Sequence, residues 1–131
     1  MIIFTNQYLD IELDKEKSLF IWSWKAATNY MNPEELFEYC QIIADNIMLH
    51  QCQYLISDGT DMQFIITPEY QEKIFKIIAP VVGFVKRFAH ILPQEFVANI
   101  AARQIWEEDH KGAYAEQYFA SLKAAKEWLF E

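Results

Sequence analysis

Glycine, cysteine and basic side chains are scarce in this 131-residue chain, and each shortage excludes a class of function. The three glycines, Gly59, Gly83 and Gly112, stand too far apart for a glycine-rich dinucleotide loop or a P-loop, which need several glycines within one short segment. The chain also lacks a Gly-x-Ser-x-Gly elbow and a His-x-x-x-His pair, which are signatures of serine hydrolases and zinc enzymes. We therefore expect a protein that is not an enzyme and holds no cofactor.

The cysteines and the charge balance indicate the cellular compartment of the protein and the partners it does not bind. Cys40 and Cys52 form no Cys-x-x-Cys motif and are too few for a disulfide framework, which favours a reducing cytoplasm. The formal net charge is -8, whereas nucleic acids and anionic membranes bind basic surfaces. The first residues lack the features of a signal peptide, and no run approaches the ~18 apolar residues of a membrane span. We expect a cytoplasmic protein with no nucleic-acid partner and no stable membrane insertion.

Apolar residues, in contrast, are abundant. They make up 53% of the chain, and aromatic residues make up 16%, so ample apolar surface is available to offset the loss of chain entropy on folding. The chain contains no repeat, low-complexity tract or linker. Residues 1–131 are therefore predicted to form a single domain.

The spacing of the apolar residues predicts an α/β fold. Residues 8–14 and 19–24 have the alternation expected of an antiparallel hairpin. Asn32-Pro33 and Thr67-Pro68 are typical helix starts, because Asn and Thr cap a helix and proline suits its first position. Pro80 predicts a kink or break near residues 77–79.

The remaining elements follow from the same patterns. The predicted order is strands over 8–14 and 19–24, a helix over 32–50, a strand over 54–56, a helix from 67, a strand over 87–92, a helix from 93 to 112, a strand over 115–120 and a helix from 121. This order, β-β-α-β-α-β-α-β-α, predicts one mixed sheet with helices packed on it.

The segment Asp58-Gly59-Thr60-Asp61 follows the predicted strand over 54–56 and is the first candidate site. In open α/β sheets, ligands bind beyond the carboxyl ends of strands. Asp58 and Asp61 are suited to binding a cation or accepting a hydrogen bond from a ligand hydroxyl. The alternative is purely structural, since Asp-Gly is a common turn sequence.

A second candidate region is aromatic. Trp22, Trp24 and Tyr30, together with the predicted helix that contains Phe75, can wall an apolar ligand pocket, because aromatic side chains supply large contact areas with polar handles. The alternatives are that these residues belong to the core, or that they form a dimer surface.

The histidines do not predict a metal site. His50 and Cys52 lack the second pair that would complete a tetrahedral site, and His110 beside residues 107–109 is incomplete in the same way. His90 lies on an apolar strand and is predicted to be a buried histidine satisfied by a hydrogen bond.

Several segments follow a recognisable pattern: the hairpin ending at Trp24, the capped helix from Asn32, the strand closing on Leu55-Ile56-Ser57-Asp58, and Ile66-Thr67-Pro68-Glu69 before the next helix. The chain ends in an aromatic strand end followed by a helix with alanines and a Trp-Leu pair, over residues 118–129. Together these features, which span nearly the whole chain, resemble the small SpoIIAA-like proteins of the STAS/CRAL-TRIO superfamily, common in bacteria. The resemblance implies a sheet of four or five strands with helices mainly on one side, often in a dimer.

The resemblance also implies a place for a regulatory switch. Anti-sigma-factor antagonists of this kind carry a phosphorylatable serine in an Asp-Ser-Ser-Gly-type segment at the corresponding strand end. Here Asp58 matches the acidic position, but the two serines are absent, and Thr60 is a displaced substitute.

Two functions follow as expectations. The first is a non-enzymatic bacterial regulatory or protein-interaction domain of SpoIIAA-like type, which binds a protein partner or a second copy of itself as a homodimer. The alternative is a carrier or sensor of a small apolar or lipid ligand.

Overall fold

The computed structural model describes residues 1–91 and 114–131. Its strands are β1 (Ile2–Thr5), β2 (Leu9–Asp14), β3 (Leu19–Trp24), β4 (Tyr54–Asp58), β5 (Arg87–Ile91) and β6 (Ala115–Phe119). Its helices are α1 (Pro33–His50), α2 (Pro68–Ile78) and α3 (Leu122–Leu129), with short 3₁₀ helices at Ala26–Tyr30 and Ala79–Val81. The α/β class is confirmed. The helix predicted from residue 93 to 112 lies outside the described residues.

The six strands form one mixed sheet in the order β1-β2-β3-β4-β5-β6. β2 pairs antiparallel with both β1 and β3, and β3 to β6 pair in parallel. The predicted hairpin is confirmed, with Leu9 opposite Trp24 and Asp14 opposite Leu19. Because β3, β4 and β5 are parallel, α1 and α2 serve as the crossover connections between them.

The prediction of four or five strands was wrong, because residues 2–5 add a sixth. β1 pairs with the outer edge of β2, and the amino group of Met1 donates to the carbonyl oxygen of Leu13 at 3.0 Å. A run of four residues is too short to show a strand period, so its structure depends on pairing with a neighbour.

Local sequence explains where the helices begin and end. At the start of α1, the side chain of Asn32 accepts from the backbone N–H of Glu35 at 2.8 Å, and the Glu35 carboxylate accepts from the Asn32 N–H at 3.1 Å. Gln51 ends this helix in the left-handed conformation, with φ of 47°. The break predicted at Pro80 is confirmed, since α2 ends at Ile78 and a 3₁₀ turn follows.

The sheet is covered on both faces, so the expectation of helices mainly on one side was only partly right. On the first face, Phe20, Leu55 and Phe88 pack beneath α1 and α2. On the second face, Ile21 and Ile56 belong to a smaller cluster with α3. This two-sided burial explains why β3 is apolar at consecutive positions. None of the helices in the described ranges has both the length and the apolarity needed to cross a bilayer.

Candidate functional site

Four side chains form a row across the parallel part of the sheet. The strand register places Trp22 of β3 beside Ser57 of β4, Ser57 beside His90 of β5, and His90 beside Tyr118 of β6. In-register residues on parallel strands point to the same face, about 4.8 Å apart between neighbouring strands. The row therefore presents two polar groups and a histidine, next to a tryptophan, on the face that carries α1 and α2.

A cavity of about 120 Å³ lies between this row and the two helices. Most of its described lining is apolar: Trp22, Trp24, Leu36, Cys40, Ile43, Met62, Ile66, Ile74, Phe75, Ile78 and Ile91. Polar side chains enter its wall at Ser57, Gln71, His90 and Tyr118. An apolar lining with a few convergent polar groups is the usual composition of a small-molecule site.

His90 is held in place by an acid on the next strand. Its Nε2 lies 2.9 Å from Oε2 of Glu116, and the two side chains are only 8% and 13% exposed. The imidazole also stacks on Phe88 and Tyr118, with ring centroids 4.1 and 5.1 Å apart. The prediction that His90 is a buried histidine satisfied by a hydrogen bond is confirmed.

Burial determines the protonation state of this histidine. Desolvation lowers the pKa of His90, and the hydrogen bond and charge of Glu116 oppose that shift with smaller effects. The imidazole is therefore mainly neutral at neutral pH, and its Nε2–H donates to the Glu116 carboxylate. The carboxylate of Glu116 consequently places a negative charge next to His90, which lines the cavity.

Cys40 is the one thiol in the described lining, and it is not reactive. Burial raises the pKa of Cys40 to about 12, so the sulfur stays protonated at physiological pH. A thiol in that state is a weak nucleophile and behaves as a small apolar side chain. Cys40 therefore shapes the cavity and does not supply chemistry.

The segment Asp58-Gly59-Thr60-Asp61 lies at the edge of this site as a turn. One carboxylate oxygen of Asp58 accepts from the backbone N–H of Thr60 at 3.0 Å and from its hydroxyl at 2.7 Å. Gly59 donates its N–H to the carbonyl of Ile91 at 3.1 Å and lines the cavity, while Asp61 is exposed. The turn thus links the ends of β4 and β5, and Asp58 and Thr60 hold its shape.

The predicted aromatic residues divide into two groups. Trp22, Trp24 and Phe75 line the cavity, as the pocket interpretation expects. Tyr30 is 82% exposed in the first 3₁₀ helix, and the described lining does not include it. The packing of Trp22 and Trp24 in the core agrees with the alternative interpretation as well, because a cavity wall and a core face are here the same surface.

Glu116, Tyr118, Ser57 and Gln71 were missed as site residues. Ser57 was predicted near the end of one strand, and Glu116 and Tyr118 were predicted to lie on another. Only the register across the parallel strands brings these residues to His90. Gln71 lies on a helix rich in polar residues, so the sequence did not single it out, although this residue is only 7% exposed. A buried glutamine near the start of an amphipathic helix carries no separate signal in the sequence.

Within residues 1–91 and 114–131, no three His, Cys, Asp or Glu side chains converge in a way that would hold a metal ion. Comparisons of the chain with protein-family models, with curated proteins and with solved structures found no match. The resemblance to SpoIIAA-like proteins accordingly stays a prediction.

Proposed function

We propose that this protein is a non-enzymatic binding module that holds a small, largely apolar molecule in the cavity beneath α1 and α2. The observation that supports this proposal is the cavity itself, which combines an aromatic and aliphatic lining with one row of polar groups. The role fits a carrier or a sensor of the ligand. Cys40 offers no reactive thiolate for a covalent step.

The size of the cavity limits the ligand. An apolar protein cavity of about 150 Å³ binds benzene, so 120 Å³ suits a molecule of about one ring. A long acyl chain needs several times that space. The best small ligands gain about 1.5 kcal/mol of binding free energy per non-hydrogen atom, so a ligand of about seven such atoms can bind no more tightly than a Kd of about 20 nM.

Toluene is a suitable first probe because it has the right size and no polar group. At a concentration about tenfold above its Kd, toluene should stabilise the folded protein by about 1.4 kcal/mol, which raises Tm by about 5 °C. The Cys40→Leu variant adds two non-hydrogen atoms to the side chain that lines the cavity and should lose this shift. Thermal denaturation with and without toluene, together with isothermal titration calorimetry, measures both effects.

Gln41→Leu is the matched control, because Gln41 directly follows Cys40 in the same helix and is exposed. It should retain the full shift in Tm. An absence of heat and of thermal shift for toluene in the wild-type protein, or an equal shift in Cys40→Leu, would contradict a ligand-binding cavity.

We propose as a second candidate the regulatory or interaction role that the SpoIIAA-like resemblance implies, with β1 as the contact. β1 lies at one end of the strand order, and its first residue, Ile2, is 50% exposed. An edge strand offers backbone donors and acceptors to an added strand, and two copies paired through this edge form a symmetric dimer.

Light scattering after size-exclusion chromatography tests the dimer. The wild-type chain should elute with twice the 15.5 kDa mass of one copy, and Ile2→Lys should shift it to the monomer. A lysine disfavours edge pairing because its charge must be desolvated. Ile65→Lys, at a site 80% exposed outside the sheet, is the control and should leave the dimer unchanged. A monomeric wild-type protein would refute pairing through β1.

A further inference from the structure

We infer that the cavity selects a neutral ring-sized ligand bearing one hydroxyl group, of the phenol class, over a carboxylate of the same size, and that Ser57 binds this hydroxyl. The inference rests on the proposed ligand-binding function and adds the chemical class of the ligand. Three observations support it: the negative charge of Glu116 next to His90, the absence of a cation in the described lining, and the position of Ser57.

The polar wall disfavours an anion. Glu116 lies 2.9 Å from the Nε2 of His90, so its negative charge stands beside a residue of the cavity wall. A ligand carboxylate placed against His90 would be close to this charge in a poorly solvated space, where like charges repel strongly. It would also have to leave water without a charged partner among the described lining residues.

The described lining residues include no lysine or arginine to compensate a ligand carboxylate. The nearest cation along β5 is Arg87, but it lies on the second face of the sheet, where its guanidinium donates to the carbonyl of Trp128 and pairs with Glu131 at 3.7 Å. On α2, the ammonium of Lys73 lies over the ring of Phe37, 4.2 Å from its centroid. Both cations are therefore engaged away from the lining.

Ser57 stands in the middle of the polar row, between Trp22 and His90, and is half-buried. A serine hydroxyl can both donate and accept, so it can satisfy a ligand hydroxyl in either orientation. The apolar residues around it provide contacts for the ring of the ligand. A phenol seated there would keep its one polar group bonded and its remaining surface in apolar contact.

Calorimetric titration of toluene, phenol and benzoate at pH 7.5 into the wild-type protein and Ser57→Ala tests the inference. Benzoate should bind at least about 30-fold more weakly than phenol. Ser57→Ala should weaken phenol about fivefold, the typical effect of one lost hydrogen bond, and change toluene by less than about twofold. Toluene binding by the variant also reports that its cavity is intact.

Ser23→Ala is the matched control, because Ser23 lies next to Trp22 on β3 with its side chain on the opposite face, and it should leave all three affinities unchanged. Benzoate binding as tight as phenol binding would overturn the preference for a neutral ligand. Equal effects of Ser57→Ala on phenol and toluene, or no effect on either, would overturn the role of Ser57. If neither toluene nor phenol binds the wild-type protein, the proposed function itself fails.

Discussion

Replacing Phe88 with alanine is expected to lower the free energy of unfolding by about 3–5 kcal/mol, which is a large part of the stability of a typical domain. Phe88 is fully buried on β5, between β4 and β6. Its ring meets Trp22 edge-on, with centroids 5.5 Å apart, and stacks on His90. Truncation removes these contacts and leaves a void that the strands on either side cannot close.

Urea denaturation monitored by circular dichroism measures this loss. The urea concentration at the midpoint of unfolding should fall, and the dependence of the unfolding free energy on urea concentration should stay unchanged. Phe84→Ala is the matched control, since Phe84 is 38% exposed, and it should cost less than about 1 kcal/mol. Similar losses for the two variants would mean that the core does not centre on Phe88. Phe88→Ala should also weaken toluene binding, because the Phe88 ring packs against both Trp22 and His90.

Replacing His90 with leucine is expected to cost about 2–4 kcal/mol at pH 7.5. The substitution removes the donor from Glu116, whose side chain is only 13% exposed, and leaves its carboxylate without that partner. In the double variant His90→Leu/Glu116→Leu the stranded charge is gone, so part of the loss should be recovered. The two single variants and the double variant form a cycle that isolates the pair.

The exposed pair of Arg87 and Glu131 provides the contrast. Its side chains are 33% and 65% exposed, and Glu131→Gln should change stability by less than about 1 kcal/mol. A double variant no more stable than His90→Leu would show that the loss comes from packing and not from the stranded carboxylate.

The same residue predicts how stability depends on pH. Burial lowers the pKa of His90 in the folded protein below its ordinary value of 6.5, so the unfolded chain takes up the proton first as the pH falls. The contribution of His90 is complete above pH 6.5 and is lost as the pH falls from there through the lower folded pKa. His90→Gln retains a donor for Glu116 without titrating, so its stability should decline less between pH 7 and pH 5 than that of the wild-type protein. Equal declines in the two proteins would contradict this assignment.

Most of the fold could be predicted wherever short-range patterns act. The hairpin over 9–24, the capping of α1 at Asn32 and the break at Pro80 all follow from residues within a few positions of one another. β1 could not be predicted, because residues 2–5 become a strand only by pairing with β2. The position of α3 on the second face could not be predicted either, since the sequence of an amphipathic helix does not specify which side of a sheet it covers.

The candidate site was predictable only in part. Trp22, Trp24 and Phe75 were predicted to form a pocket because aromatic side chains supply large contact areas, and all three line the cavity. Asp58 and Asp61 were predicted as a site because they follow the end of a strand, yet Asp58 accepts hydrogen bonds within its own turn. The polar side chains in the described lining of the cavity are Ser57, His90 and Tyr118 on three strands and Gln71 on α2. A single polar residue in a strand or helix has no local signature.

The sequence by itself determined the local elements, because caps, prolines and apolar periods act through neighbouring residues and fix helix starts, strand alternation and turns. Only the tertiary structure decided which distant residues meet. Trp22, Ser57, His90 and Tyr118 belong to four separate strands, and their alignment depends on the parallel register. That register is set by the packing of the crossover helices on the sheet, and the cavity is the space which that packing leaves open.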